Sequence, residues 1–518
     1  MTEFREKSLE VTYIDEPALE FGHGQTTDHP KDGLYLFGPR TPKPLRKTIT
    51  LGIVGTPKGL SHFRNWAIQL SGGVNVPERT EREKKDRLHL SDFPGIEEAF
   101  GINFDPKSSV ERPIKHKDIE RLTSLENQHE AVSKTVDLFI EEVTRHHNEE
   151  EQSVDVWLFV LPEIIFERCK RQARRTGVQL SPGDYARKQK TRSNLPLLAD
   201  VIDITKENVF DDIPDFHRQV KARLLHHGHT SQLVRETTLA PNEFLNRAGY
   251  PIRGTQDPAT VAWNLATGIF YKTQPEPPWK IASMRPGVCY VGLVFKILPN
   301  NPKNHVCCAA QMFLSEGDGV VFRGANGPWK TSEYEFHLSK EAAVKLLTSV
   351  LGTYKQKYGE YPKQLFIHGR TNFNRDEWDA FEEAAPAGTD IVGVRIKSTS
   401  GEMKLFRAGD YPCMRGTAIL LDDSNAFLWT SGYVPRLDTY IGPETPNPLS
   451  ITVLRSTGDR PELRDVLTDI MGLTKINYNA CNYSDSIPVT IRFADKVGDV
   501  LVTGSAEGAN RQPFKFYV

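Results

Sequence analysis

The chain reads Asp212-Ile-Pro-Asp-Phe-His217-Arg-Gln-Val-Lys221-Ala-Arg-Leu-Leu-His-His-Gly228-His-Thr-Ser-Gln232 across the segment that decides its fold. His217 and Lys221 are four residues apart, so a helix places both side chains on one face. Gly228 is predicted to end this helix, and Gln232 follows in front of the apolar pair Leu233-Val234. Three groups that bind anions can therefore converge from separate elements, which is what holding a terminal phosphate requires.

This spacing resembles the 5′-phosphate pocket in the MID domain of Argonaute proteins. There an aromatic residue or His, a Lys four positions on and a Gln eleven further on hold the end of a guide strand. His217 resembles the variant in short prokaryotic Argonautes. A second match is Asn264-Leu-Ala-Thr-Gly-Ile-Phe-Tyr-Lys272, where the family helix brings an Asn and a closing Lys to the same phosphate. The resemblance therefore implies five guide-binding residues: His217, Lys221, Gln232, Asn264 and Lys272.

A third match lies near the end of the chain. Leu473-Thr-Lys-Ile-Asn-Tyr-Asn479 runs on to Pro488-Val-Thr-Ile-Arg-Phe-Ala-Asp495, which looks like the end of a PIWI domain. The resemblance covers residues 46–518. It implies a MID–PIWI protein of the short prokaryotic kind, without a separate domain that grips the 3′ end of the guide.

Composition bounds the class of protein. The 518 residues are 38% hydrophobic and 25% charged, which is typical of a soluble globular protein with two or three domains. We find neither a membrane-spanning apolar run nor a signal-peptide core at the start, so we expect a cytoplasmic protein. The resemblance implies that its source is a bacterium or archaeon. The six cysteines are scattered without a CxxC pair, which favours reduced thiols.

A net charge of −2 does not indicate a nucleic-acid binder, but the local distribution does. Residues 167–192 contain nine Lys and Arg against two acids, Glu167 and Asp184. Such a stretch is either a solvated face or a surface that follows a phosphate backbone, and its position beside the phosphate motif favours the second. The sequence does not decide whether Arg174-Arg175 and Arg187-Lys188 contact phosphates or solvent.

The pattern of buried strands and helices predicts an α/β protein. Residues 1–45 are rich in turn formers and form an N-terminal arm with short strands. A strand at 48–55, helices at 59–70 and 119–147 and a strand at 155–161 then alternate, which indicates a parallel, Rossmann-like sheet. We assign residues 46–280 to a MID domain, ending at the Pro-rich segment 274–278.

Beyond that segment the pattern changes to a hairpin at 287–298 and 306–314. A helix at 339–357, a strand at 364–368 and a helix at 374–385 follow. This order suits an RNase H-like α/β domain, and we assign residues 281–518 to a PIWI domain of that fold.

PIWI nucleases hold two metal ions with carboxylates around the scissile phosphate. By resemblance, the first Asp position is occupied by Val294, and the second lies in the segment 366–373 around Arg370, which is followed by no carboxylate until Asp376. Only Asp495 remains at the last position. A valine cannot bind a hard cation and an arginine repels one, so we expect no catalytic residue and no nuclease activity. A nuclease with displaced acids, Asp376 or Glu382 with Asp495, is the alternative.

Three smaller features have more than one interpretation. The run His226-His227-Gly-His229 suits a polar helix end better than a metal site, and Cys307-Cys308 suit burial better than redox chemistry. Val518 ends the sequence: by resemblance its carboxylate helps to hold Mg²⁺ or another divalent cation at the guide phosphate, and the alternative is a strand packed in the core.

Taken together, the resemblance implies a nuclease-dead protein that binds a small guide RNA and recognises complementary DNA. Its output would come from a separate APAZ-containing effector protein of TIR, Sir2 or nuclease type, held as a heterodimer in defence against plasmids and phage. A third possibility is a regulatory binder of other phosphorylated ligands that works without nucleic acid.

Overall fold

The structure is a computed structural model that describes residues 9–41, 47–78, 89–173, 212–298, 301–313, 319–322, 326–327, 336–440, 442, 444–503 and 512–518. Of residues 297–298, 301–313 and 326–327 only the backbone is described. The predictions for Arg174-Arg175, for Arg187-Lys188 and for the side chains of Cys307-Cys308 therefore lie outside the described residues.

The described chain is mixed α/β, as predicted. Its strands are β1 Glu10–Tyr13, β2 Leu19–Glu20, β3 Thr26–Thr27, β4 Leu51–Gly55, β5 Val110–Pro113, β6 Val156–Leu161, β7 Ser231–Arg235, β8 Lys280–Ile281, β9 Val288–Leu298, β10 Asn301–Phe313, β11 Gly319–Phe322, β12 Asn326–Gly327, β13 Gln364–Gly369, β14 Asp390–Ser398, β15 Thr417–Leu420, β16 Asn425–Leu428 and β17 Leu449–Ser456. Its helices are α1 Pro30–Phe37, α2 Pro57–Gly72, α3 Ile96–Phe100, α4 His116–Thr123, α5 Gln128–Glu149, α6 Glu163–Arg168, α7 Phe216–His227, α8 Glu236–Leu239, α9 Pro258–Thr273, α10 Lys340–Tyr358, α11 Arg375–Ala384, α12 Leu463–Leu473 and α13 Val489–Leu501.

A four-stranded parallel sheet organises the first half of the chain, in the order β5-β4-β6-β7. Every residue of β4 and β6 is buried, because helices cover both faces of a parallel sheet. Gly52 is required at its centre: a Cβ there would come within 2.4 Å of the Trp157 ring. The predicted strands at 48–55 and 155–161 are confirmed, with slightly shorter bounds.

A ten-stranded sheet organises the second half, along the order β1-β15-β16-β17-β14-β13-β9-β10-β11 with β12 paired to β10. β13 is parallel to both β9 and β14, so the carboxyl ends of these three strands share one edge. The predicted hairpin forms between β9 and β10. Helix α13 crosses β9 so closely that a Cβ on Gly292 would lie 1.7 Å from the carbonyl oxygen of Thr490.

The N-terminal arm is built into the fold by its short strands. β1 pairs with β15 at the edge of the large sheet, and β2 lies between β3 and β8 in a sheet of three strands. Arg415 and Lys475 both contact the carboxylate of Glu16, with N–O distances of 2.9 and 2.6 Å. The arm is therefore fixed to the second half by pairing and by charge.

The predicted helix at 119–147 is wrong as a single element. The chain forms α4 and α5 instead, separated at residues 124–127. The side chain of Asn127 accepts a hydrogen bond from the Glu130 backbone N–H at 3.0 Å and thereby starts the second helix. In the described part of the chain, no helix is both long and apolar enough to cross a membrane.

Candidate phosphate-binding site

Helix α7 carries the first two predicted site residues, and its bounds follow from its caps. The Asp215 side chain accepts a hydrogen bond from the Arg218 backbone N–H at 3.1 Å, and Gly228 ends the helix in the left-handed conformation, with φ of 64°. His217 and Lys221 therefore lie on one face, as the spacing predicts. This face is directed towards β7 and the end of the chain.

Lys221 is a buried lysine whose visible partners are all oxygens of the main chain. Its Nζ donates to the carbonyl oxygen of Ser231 at 2.5 Å and to an oxygen of Val518 at 2.6 Å. Burial, reinforced by the charge of Lys272, holds the pKa of Lys221 well below its usual value. A buried ammonium group of this kind gains from a nearby anion.

Lys272, in the last turn of α9, closes the same pocket. Its Nζ donates to Gln232 Oε1 at 2.5 Å and to Asn479 Oδ1 at 2.7 Å, and burial lowers its pKa to about 7. One turn earlier on α9, Gly268 lies beside the same two amides: a Cβ there would be 3.4 Å from Gln232 Oε1, an ordinary van der Waals contact. Gln232 and Lys272 are thus brought together, as predicted.

His217 stands at the mouth of the pocket, with its side chain in contact with solvent. The protein around it lowers the pKa of His217 to about 3, first by desolvation and then through the charges of Lys221, Lys496 and Lys272. Solvent reaches the ring, so an anion can approach it. A bound anion would offset the charges of the neighbouring lysines and thereby raise the pKa of His217.

Asn264 is near the pocket but has other partners in this structure. Its Oδ1 accepts from the Cys481 backbone N–H at 2.8 Å, and its Nδ2 donates to Gln256 Oε1 at 3.1 Å. It lies on α9 two turns before Lys272, so it shares that helix face. Asn264 ties α9 to the loop that delivers Asn479.

A cavity of about 530 Å³ adjoins the pocket, and both His217 and Asn264 line it. Its floor is largely apolar, and the Phe166 ring has Lys170 Nζ at 3.3 Å and the Arg235 guanidinium carbon at 3.7 Å from its centroid. Arg253 and Gln256 supply polar groups at the rim. An apolar cavity beside an anion pocket suits a phosphate that carries a planar, uncharged base.

Two residues of the pocket were missed by the assignment from sequence. Asn479 belongs to a segment that the resemblance includes, but nothing local links it to Lys272, 207 residues earlier. Lys496, on α13, lowers the pKa of His217 by its positive charge. The four-residue spacing of Arg492 and Lys496, which lie on α13, was the available signal for a basic face.

The donor set of this pocket does not fit a divalent cation. Among the described residues, neither Lys221 nor Lys272 pairs with a carboxylate side chain. The oxygens of Val518, Ser231, Gln232 and Asn479 already accept hydrogen bonds from ammonium groups. A metal ion here would be repelled by these lysines, so an anion is the ligand that the charges favour.

A second group of charges lies where β9, β13 and α13 meet. Val294, at the position of the first expected acid, is buried. Two residues on, Lys296 Nζ lies 2.5 Å from Asp495 and 2.9 Å from Asp499. Arg370 follows β13 and lies 3.7 Å from Asp495. Asp495 therefore has cationic side chains as its neighbours.

The histidines near the end of α7 lie beside the end of α5. The rings of His147 and His229 are 5.4 Å apart, and burial together with His147 lowers the pKa of His229 to about 4. No three His, Cys, Asp or Glu side chains in the described ranges converge as metal ligands.

The fold, with its four-stranded parallel sheet and its large mixed sheet, is similar to that of solved Argonaute structures. Clostridium butyricum Argonaute bound to a guide DNA and a 19-mer target DNA superposes with a TM-score of 0.60 at 16% identity, covering 100% of this chain and 56% of that one. A. aeolicus Argonaute gives 0.52 at 14% identity, covering 98% and 55%. The structure of Aa-Ago with externally bound siRNA gives the same score and identity, covering 97% and 55%.

This chain thus spans little more than half the length of the structures it resembles. No protein-family model and no curated protein matches the sequence.

Proposed function

We propose that this protein binds the 5′-phosphate of a short guide strand and uses the guide to recognise a complementary strand. The observation that carries the proposal is the convergence of three lysines, Lys221, Lys272 and Lys496, around His217. Lys221 and Lys272 would neutralise the phosphate, Gln232 and Asn264 would donate amide hydrogen bonds, and His217 would approach the first nucleotide. The adjoining cavity would receive the base of that nucleotide.

The domain assignment supports this proposal. We propose that residues 46–280 form a Rossmann-like MID domain, because its four parallel strands bring α7, β7 and α9 to one pocket. Residues 281–518 would form an RNase H-like PIWI domain around the parallel strands β9, β13 and β14. The phosphate pocket would then lie between the two, since Asn479 and Lys496 come from the second.

We propose that lysines, rather than Mg²⁺, neutralise the guide phosphate. The Val518 oxygen that was expected to bind a divalent cation is held by Lys221 Nζ at 2.6 Å. An ammonium group on a buried side chain supplies a positive charge at a fixed place and needs no ion from solution. Guide binding would therefore persist when divalent cations are removed.

We propose that the protein does not cleave the target. A two-metal nuclease needs carboxylates that are free to bind cations, and here Val294 replaces one while Asp495 pairs with Lys296. For the alternative set of acids, Glu382 contacts Arg455 Nη2 at 2.5 Å, on β17. Glu382 and Asp495 thus pair with different cations, Arg455 and Lys296, which gives no support to a metal site shared by these two acids.

A binder that does not cut requires another output. By its resemblance to short Argonautes, we propose an RNA guide, a single-stranded DNA target and a partner with an APAZ region fused to a TIR, Sir2 or nuclease effector. Target binding would shift the complex towards a state in which the effector acts against plasmids or phage.

Nucleic acid co-purified from cells tests the proposal. It is extracted and end-labelled with and without phosphatase, and RNase and DNase identify its chemistry. Short strands that label only after dephosphorylation are the expected result, reduced in Lys221→Met and Lys272→Met and unchanged in Lys340→Met, an exposed lysine paired with Glu383. Strands bound equally by all four proteins would exclude this pocket. Absence of nucleic acid would favour a binder of another phosphorylated ligand.

A further inference from the structure

Basic side chains from two neighbouring strands converge at the carboxyl edge of the parallel part of the large sheet. Lys296 lies near the end of β9 and Arg370 directly follows β13, and both contact the carboxylate of Asp495 on α13. Ligands of open α/β sheets bind at the carboxyl ends of parallel strands. We refer to Lys296 and Arg370 as the cationic edge.

Arg370 is the member of the cationic edge that is most available to a ligand. Its side chain is 48% exposed, and the contact of 3.7 Å to Asp495 is longer than a hydrogen bond. Among the described residues it has no closer partner. A planar guanidinium group in this situation can present two parallel N–H donors to a phosphate.

Lys296 gives the edge a fixed charge. Its ammonium group is held by Asp495 and Asp499, and Asp499 also accepts from Arg218 Nη2 at 2.8 Å. Three cations, Arg218, Lys296 and Arg370, thus face two carboxylates. The cluster keeps an excess of positive charge. Asp495 and Asp499 position the three cations but do not neutralise all of their charge.

The cationic edge is also adjacent to the phosphate pocket. Arg218 follows His217 on α7 and reaches Asp499 on α13. Lys496, which is also on α13, lowers the pKa of His217 by its charge. The preceding residue, Asp495, pairs with Lys296. A nucleic acid whose end is held in the pocket can therefore extend past this edge.

From this geometry we propose that Arg370, with Lys296 beside it, binds one backbone phosphodiester of the guide–target nucleic acid and holds it without cleavage. The inference rests on the proposed function, because it requires a bound guide. It assigns a binding role to side chains that occupy the place expected for catalytic metals. The phosphodiester belongs either to the guide or to the target, and the experiment separates these.

The test uses the full chain loaded with a synthetic 5′-phosphorylated RNA guide and titrated with labelled complementary single-stranded DNA. Wild type is compared with Arg370→Gln and with Arg375→Gln. Arg375 is a matched control, since its side chain is 91% exposed and its ion pair, at 3.8 Å, is with Asp379 on its own helix. Arg370→Gln should weaken target binding roughly tenfold. It should also reduce the slope of log affinity against log salt by about 1.

Single methylphosphonate linkages, which are neutral, then locate the contact. One linkage in either the target or the guide should weaken binding by wild type and by Arg375→Gln, but not by Arg370→Gln, whose contact is already lost. The strand in which it acts identifies the source of the phosphodiester.

Two negative outcomes remain distinguishable. Guide loading that is intact in all proteins, with equal target affinity and salt slope for the two variants, would overturn the role of Arg370 alone. Failure of wild type to prefer a 5′-phosphorylated over a 5′-hydroxyl guide would overturn the proposed function, and this inference with it.

Discussion

Replacing Lys272 by methionine separates the binding role of this lysine from its structural role. Burial lowers the pKa of Lys272 from 10.5 to about 7, which corresponds to roughly 5 kcal/mol against the charged form in the anion-free protein. Methionine removes this cost. It also leaves Gln232 Oε1 and Asn479 Oδ1 without their donor, at ~1–3 kcal/mol for each. The two effects nearly cancel, so we expect little change in the free energy of unfolding at pH 7.

Binding should respond very differently. Lys272→Met removes a charge-assisted hydrogen bond to the phosphate, worth ~1.5–3 kcal/mol. The affinity for a 5′-phosphorylated guide should therefore fall roughly tenfold to 100-fold, while the affinity for the 5′-hydroxyl form should hardly change. The assay is competition between the two forms of one 3′-labelled oligonucleotide, with urea denaturation in parallel.

The pH dependence of stability gives an independent check. The folded pKa lies below the unfolded one, so the cost of the charge is present in full below about pH 7 and disappears as the pH rises towards 10.5. Lys272→Met should therefore match wild type in stability near pH 7 and become progressively less stable than wild type as the pH rises towards 10.5. An unchanged preference for the 5′-phosphate would refute this account, and so would an equal loss of affinity for both forms.

Three further predictions concern the pH dependence of binding, the role of divalent cations and the packing of the four-stranded sheet. The preference for a 5′-phosphate should decline as the pH rises above about 7, because anion binding raises the pKa of Lys272 and so takes up a proton; anisotropy titrations at a series of pH values measure it, and a preference that grows above pH 7 would contradict it. Chelation of divalent cations should leave guide affinity unchanged, since Lys221 holds the Val518 oxygen; a loss that Mg²⁺ restores would show a metal in the pocket. Gly52→Ala should destabilise the protein by about 1–3 kcal/mol in urea denaturation, because its Cβ would overlap the Trp157 ring, whereas Gly72→Ala, with open space around the new methyl group, should not.

The elements of the fold could be predicted because their signals are local. All five residues of β4 and all six of β6 are buried, and each reads in the sequence as a short, almost uninterrupted apolar run. The bounds of α7 follow from Asp215 and Gly228. The break between α4 and α5 was also readable, since Asn127 precedes Glu130 by three residues, which is a helix-start pattern. The amphipathic periodicity was interpreted as one long helix, and the N-cap at Asn127 was therefore overlooked.

The site could be predicted only in part, because its contacts are not local. Spacing placed His217 with Lys221 on one helix face, and the resemblance placed Asn264 and Lys272 together on a second helix. The partners of the two lysines lie much further along the chain: Asn479 is 207 residues after Lys272, and Val518 is 297 residues after Lys221. Such contacts are set by how α7, α9 and α13 pack, and no periodicity encodes that packing.

The two charge clusters share one feature: an ammonium group lies beside the groups that were expected to bind divalent cations. Where a divalent cation was expected near Val518, the chain places the ammonium group of Lys221; beside Asp495, it places that of Lys296. A tethered ammonium group neutralises an anion at a fixed distance, but it cannot lower the pKa of a bound water as a metal ion does. A site built in this way holds a phosphate without activating a nucleophile against it. Under the proposed function, the choice of cation would separate binding from cleavage, and the protein would depend on recognition for its output.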